Sequence, residues 1–306
     1  MNRSVSTTAT PLAPPAAVGR MALGAMLLST TGIFVVLAQV APTVSAFYRM
    51  LFGGAMLLGR VALTRRWVRV RWRDVVLALL PALGFSLDLI CWHRSILWVG
   101  PGVATLLTNF QVFLMALVGW WVYRERLGRW FLPGIAVALA GLWLLVGAHW
   151  SLFDARHRLG VWLGLASGLA YTVYLLSFRR ALSGHTALPA AQFLGLMSLL
   201  SAALLLLWGL AEGDAFALVT AHSWSALLAL GFFGQVLAWL LMVGTMPLLP
   251  ASLVGLLLLL QPALAFVLDV LLFRRPTGGG DWLGLALALV GILLGTMRRN
   301  GKDRSR

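Results

Sequence analysis

The 306-residue chain has a single cysteine, Cys91, and only nine acidic residues. One thiol excludes any intrachain disulfide framework. Charge of either sign is scarce. Asp, Glu, Lys and Arg make up 11% of the chain, against about a quarter in a typical soluble domain. A soluble fold of this length needs far more polar surface, so soluble enzymes are excluded. Disorder is excluded as well, except at the two ends. No HExxH, GxSxG or Walker A pattern occurs, so the signatures of zinc peptidases, nucleophile-elbow hydrolases and P-loop nucleotide binding are missing. His149, Asp154 and His157 share one loop, but their loose spacing does not make a metal site. Neither cofactor nor metal is expected.

What is present is apolar. Hydrophobic residues make up 60% of the chain, and the mean hydropathy is +0.91. A membrane span needs about 20 apolar residues. Ten segments qualify: 21–41, 44–63, 75–98, 102–123, 130–148, 160–178, 188–210, 224–246, 251–273 and 282–298. Their breaks are short and rich in Pro and Gly, as at Ala41-Pro42-Thr43, Gly100-Pro101-Gly102 and Pro247 to Pro250, residues that end helices. The runs are continuously apolar rather than alternating, which excludes a β-barrel. Residues 1–19, rich in Thr, Ala and Pro, read as a disordered tail. The first apolar run has no convincing cleavage pattern and reads as an uncleaved span.

The net charge is +15. The basic residues fall mostly between the apolar runs, where they orient a membrane protein, and no stretch reads as a nucleic-acid module. With the N-terminus in the cytoplasm, the inner segments hold seventeen of the 24 Lys and Arg: Arg3, Arg20, five from Arg65 to Arg73, Arg124, Arg126, Arg129, Arg179, Arg180 and five from Arg298 to Arg306. The outer segments hold four: Arg156, Arg158, Arg274 and Arg275. Arg49, Arg60 and Arg94 lie inside spans. This asymmetry predicts both termini in the cytoplasm of a cell with a cytoplasmic (inner) membrane.

The chain is internally duplicated. An offset of 150 residues places Leu106-Leu107 on Leu256-Leu257, Gln111 on Gln261, Arg124 on Arg274, and Gly128, Gly134 and Gly141 on Gly278, Gly284 and Gly291. Five spans per half is an odd number, so the halves insert in opposite senses, as alternating access around a midplane site requires. The expected fold is an all-α integral membrane protein with ten transmembrane helices in two inverted five-helix repeats. The first repeat is 20–147 and the second 160–297, joined by an external linker 148–159 and followed by a basic cytoplasmic tail 298–306.

The local wording resembles the drug/metabolite transporter superfamily, in particular its EamA-type members. The resemblance runs over about residues 20–297. It is carried by Ser45 to Leu58 with Arg49, by Trp92 to Leu145 with Tyr123-Arg124-Glu125-Arg126-Leu127, and by Leu230 to Gly295 with Gly234-Gln235, Leu249-Pro250-Ala251 and Gln261-Pro262. One departure is visible: Glu125 matches a frequent acid of the family, but its mate in the second half is Arg275. The resemblance implies a secondary transporter exporting a small organic metabolite such as an amino acid or related compound. Its partners would be that substrate and the lipid bilayer. Protons are the candidate coupling ion and a homodimer the candidate assembly. The competing reading is a non-transporting membrane protein, such as a lipid-modifying enzyme or assembly subunit. A cavity between the halves favours transport; a cleft opening sideways to lipid favours the enzyme.

Polar groups inside the spans mark the candidate site, because charge at a helix centre costs roughly 2.5–3.5 kcal/mol on insertion scales. Asp88, Trp92 and His93 lie on the third span, with Asp88 and Trp92 on one face. Thr105 and Asn109 share a face of the fourth span, whose repeat mate keeps Gln261 beside Pro262. Tyr171 and Tyr174 on the sixth span, and Gln235 and Trp239 on the eighth, are mid-span groups able to line a pocket. Arg49 sits near the outer end of the second span, where Asp269 is its candidate partner. Glycines at 134, 141, 160, 164, 168, 284, 291 and 295 mark close helix packing.

Overall fold

A computed structural model describes residues 14–124, 128–217, 220–245, 248–249 and 251–296. Glu125, Arg126, Leu127, Pro247, Pro250, residues 1–13 and the tail from 297 lie outside the described residues. The described chain is helical and contains no strand. Eight helices are long and apolar enough to cross a membrane, and two more are shorter and apolar.

In chain order the first repeat holds α1 (Pro15–Ser29 with Thr31–Ala38), α2 (Pro42–Leu63), α3 (Trp72–Val99), α4 (Pro101–Asn109 with Gln111–Tyr123) and α5 (Phe131–Leu145). The second holds α6 (Ala155–Leu182), α7 (Ala190–Glu212), α8 (Ala221–Ala229, Leu230–Leu237 and Ala238–Thr245), α9 (Ala251–Leu258 with Leu260–Phe273) and α10 (Gly279–Thr296). Two helices start well inside segments expected to lie outside the spans. The first begins at Pro15, inside the segment read as a tail, because proline suits the first helical turn. The sixth begins at Ala155, inside the segment read as a linker. Asp154 caps it there, its side chain accepting from the His157 backbone N–H at 2.7 Å.

Four of the helices are interrupted, and three of the interruptions have visible causes. In α1, Ser29, Thr30 and Thr31 each turn a hydroxyl back onto the carbonyl three residues earlier, which bends helices. In α4, Thr108 and Asn109 bond back to the carbonyls of Ala104 and Thr105, just before the break at Phe110. In α9, Pro262 cannot donate to the carbonyl of Leu258, and the helix breaks at Leu259. The breaks in α4 and α9 fall at equivalent places in the two repeats. The fourth interruption, in α8, is a wide π-helical stretch over Leu230–Leu237.

The helix pairing has two-fold pseudosymmetry. Exchanging the repeats turns α3 against α6 into α8 against α1, α3 against α7 into α8 against α2, and α4 against α6 into α9 against α1, and all six packings occur. The pairs α2–α7, α4–α9 and α5–α10 map onto themselves and occur too. Equivalent helices run in opposite senses. On α2 and α7, Thr43 meets Glu212 while Val68, just past α2, meets Gln192. On α5 and α10, Gly134 meets Gly291 and Gly295 while Gly141 meets Gly284 and Ala288. A Cβ at Gly134 would stand 2.6 Å from the Gly295 backbone nitrogen. The small residues therefore let two short helices touch backbone to backbone.

Candidate functional site

Between the repeats lies a cavity. Its volume is about 60 Å³, room for a few waters at about 10–15 Å³ each. Its walls come from α1 (Leu28 and Thr31), α2 (Arg49), α3 (Phe85, Asp88 and Trp92), α4 (Thr105, Thr108, Asn109 and Gln111), α6 (Tyr171), α8 (Trp239) and α9 (Gln261). Gln111 and Gln261, which correspond across the 150-residue offset, both reach it. Each follows closely on a helix break.

Two groups of opposite charge line this space. Asp88, 4% exposed, accepts a hydrogen bond on Oδ1 from the Ser167 hydroxyl at 2.5 Å. Ser167 in turn lies 2.8 Å from the Thr108 hydroxyl, so α3, α6 and α4 are tied at the depth of the carboxylate. Oδ2 accepts no hydrogen bond among the described residues. A bare carboxylate is costly in a low-dielectric interior, and the polar cavity is its available solvation. Arg49 is 6% exposed. Its guanidinium carbon stands 5.8 Å from the Phe85 ring centre and 5.5 Å from that of Trp92. Such cation–π contacts contribute about 0.5–2 kcal/mol, a partial offset to burial. Phe85, Trp92, Tyr171 and Trp239 give the cavity an aromatic wall. Trp239 also borders a second, largely apolar cavity of about 240 Å³ toward the end bearing Arg65 to Arg73, lined by Phe178, Leu182, Leu194 and Leu240 among others.

Residues 17–147 and 158–297 each match the EamA-like transporter family. The chain belongs to the EamA-like transporter family. Among the relatives of this EamA-like chain are two proteins of Bacillus subtilis (strain 168). The uncharacterised transporter YwfM is 26% identical over 279 residues, covering 89% of this chain and 90% of the relative. The uncharacterised transporter YetK is 25% identical over 238 residues, covering 76% and 71%. A solved crystal structure shares the fold at 20% identity with a TM-score of 0.65, covering 92% of this chain and 98% of its own. The protein is thus a multi-pass membrane protein of a transporter family.

Within this EamA-like site, Asp88, Trp92, Thr105, Asn109, Tyr171, Trp239 and Gln261 line one cavity. His93, Tyr174 and Gln235 do not. His93, one residue from Trp92, is rotated toward α2, and its Nδ1 lies 2.6 Å from the Ser45 hydroxyl. Tyr174 is fully buried and stacks on Phe85 at 4.4 Å between ring centres. Gln235 donates to the Ser198 hydroxyl at 3.1 Å and packs against Gly53. The wide turn in α8 breaks the α spacing that would place Gln235 and Trp239 on one face. Arg49 lies eight residues into α2, about 10 Å from its end at 1.5 Å per residue, and faces the cavity. Its proposed partner Asp269 is engaged elsewhere. Asp269 accepts from the Gly102 N–H at 3.1 Å and pairs with Arg275 at 3.5 Å. Arg275, the mate of Glu125, also donates to the Val99 carbonyl at 2.5 Å. It therefore clamps the α3–α4 turn to α9. A second clamp at the same end joins Arg94 to Glu212 at 2.6 Å, with Thr43 between them.

Proposed function

We propose that the protein is a secondary active transporter that exports a small organic metabolite, such as an amino acid or related compound. It works by alternating access around the cavity between its repeats, in the cytoplasmic (inner) membrane. The observation that supports this reading is the cavity's construction: both repeats contribute polar groups to it, at the level where α4 and α9 are interrupted. Two pseudosymmetric halves meeting at such a site can rock to expose it to either face. Binding through Asp88, Trp92, Thr105, Asn109, Tyr171, Trp239 and Gln261 belongs to the same proposal. Asp88 is its proton carrier, because a carboxylate bathed by a few waters can take and release a proton as access alternates.

The test is flux in proteoliposomes across a panel of amino acids, organic acids and amines, with and without a pH gradient. At least one compound should accumulate, faster with the gradient than without it. A tight reconstituted preparation that moves nothing in the panel contradicts the reading. The basic end is assigned to the cytoplasm. A cytoplasmic reporter fused after Val70, and another after Lys302, should both be active. An export-dependent reporter that works at either position reverses the orientation.

A further inference from the structure

Arg49 differs from Arg94 and Arg275, which also reach into the bundle. Arg94 is satisfied by the Ile90 carbonyl, Thr43 and Glu212, and Arg275 by the Val99 carbonyl and Asp269. The Arg49 guanidinium forms no hydrogen bond among the described residues, and its Nε is buried without a partner. The ion pairs among the described residues lie at the two clamps, so Asp88 does not engage it directly. Buried polar groups are ordinarily hydrogen-bonded, and an orphan in a cavity wall calls for a partner.

The geometry of the orphan selects the kind of partner. A guanidinium is a planar fork with five donors and no acceptor. Its strongest match is a planar oxyanion held by two parallel hydrogen bonds. Phe85 and Trp92 flank the charged carbon, and aromatic faces attract it without competing for its N–H groups. Gln111, Gln261, Thr105 and Asn109 complete a polar lining for the remainder of the molecule.

We propose that Arg49 is the anchor for a carboxylate on the transported compound, which makes the substrate a small carboxylic acid in its ionised form. This rests on the transport reading and narrows its substrate class. In the loaded cavity the substrate carboxylate pairs with Arg49, and the added negative charge is balanced at Asp88. The Asp88 carboxylate stays available for a proton or for a cationic group on the same molecule.

The test uses the purified full chain in detergent and its thermal unfolding midpoint. The ligands are amino acids, each beside its carboxamide, together with acetate, benzoate and 3-phenylpropionate, and with chloride and phosphate as inorganic anions. At least one acid should raise the midpoint, and its amide should bind at least about tenfold more weakly, as loss of a charge-assisted pair demands. Arg49→Gln should abolish the acid–amide difference. Arg49→Lys keeps the charge without the fork and should retain a weakened preference. If Arg49→Gln does not fold, the acid–amide comparison on the parent protein still decides. The assignment is overturned if amides match their acids, if Arg49→Gln binds the acid unchanged, if only inorganic anions stabilise, or if no carboxylate shifts the midpoint. Flux of amines or amides without flux of any acid overturns it while leaving transport itself standing.

Discussion

Asp88→Asn should fold, insert and purify as the parent does, yet lose at least about tenfold in flux or lose the pH dependence of flux, as expected for an intramembrane acid with a functional role. The folding half of this expectation follows from the hydrogen bond. Asn keeps an oxygen to accept from Ser167, whose 2.5 Å contact fixes α6 against α3. It also fills nearly the same volume, so the packing around Phe85 and Trp92 is undisturbed. The functional half follows from charge. Asn neither ionises nor carries a proton, and the repeat mate of Asp88 is Ala238, so no second acid at the equivalent position replaces it. Size-exclusion profiles report folding, and proteoliposome flux across a pH series reports function, using whichever compound the panel identifies. Flux equal to the parent's at every pH would remove Asp88 from the mechanism.

The second large effect is structural. Gly141→Leu should reduce the yield of monodisperse protein by about tenfold or more. Overpacking a tight contact costs roughly 1–3 kcal/mol even where side chains can move. Here the obstacles are backbone atoms of Ala288 and Gly284, which cannot move without separating α5 from α10. Gly59→Leu is the control, since nothing lies within 4 Å of a Cβ there. Equal yields for the two variants would show that the α5–α10 contact tolerates separation.

The architecture was legible because lipid permits few solutions. Ten apolar runs of span length leave little but helices, and the repeated Gln and Gly residues at a fixed offset reveal the duplication. The small-residue stripes were legible for the same reason: Gly134, Gly141, Gly284 and Gly291 have no other use on an apolar helix. Most of the cavity was legible: Asp88, Trp92, Thr105, Asn109, Tyr171, Trp239 and Gln261 all line it. Asp88 and Trp92 share a face in an unbroken part of α3, and both reach the cavity. Gln235 lies in the π-helical stretch of α8, which no periodicity reveals, and it turns toward α7 instead. The surroundings of Arg49 were hidden for a different reason. Its depth in α2 was readable, but its missing partner was not, because partnership depends on which helices meet. Arg275 illustrates the converse. As a departure from the family pattern it was conspicuous, yet its use as a clamp on the Val99 carbonyl depends on a turn 176 residues away in sequence.

Both charged clamps stand at the end of the bundle opposite Arg65 to Arg73. The repeat relation carries Arg94, Glu212 and Asp269 onto Gly244, Ala62 and Gly119, none of which bears a charge, and only Arg275 falls on a charged mate, Glu125. If the halves were identical, closing one end would cost the same as closing the other. This chain is not balanced in that way. The Arg94–Glu212 pair is partly exposed, and such a pair is worth at most about 1 kcal/mol. That is about a fivefold tilt in a two-state population, at RT of about 0.59 kcal/mol. On the alternating-access reading proposed above, it is too weak to lock the transporter but would give the resting ensemble a preferred side. Because exposed pairs are screened by salt over about 8–10 Å, that preference would then be set by the electrolyte bathing one face.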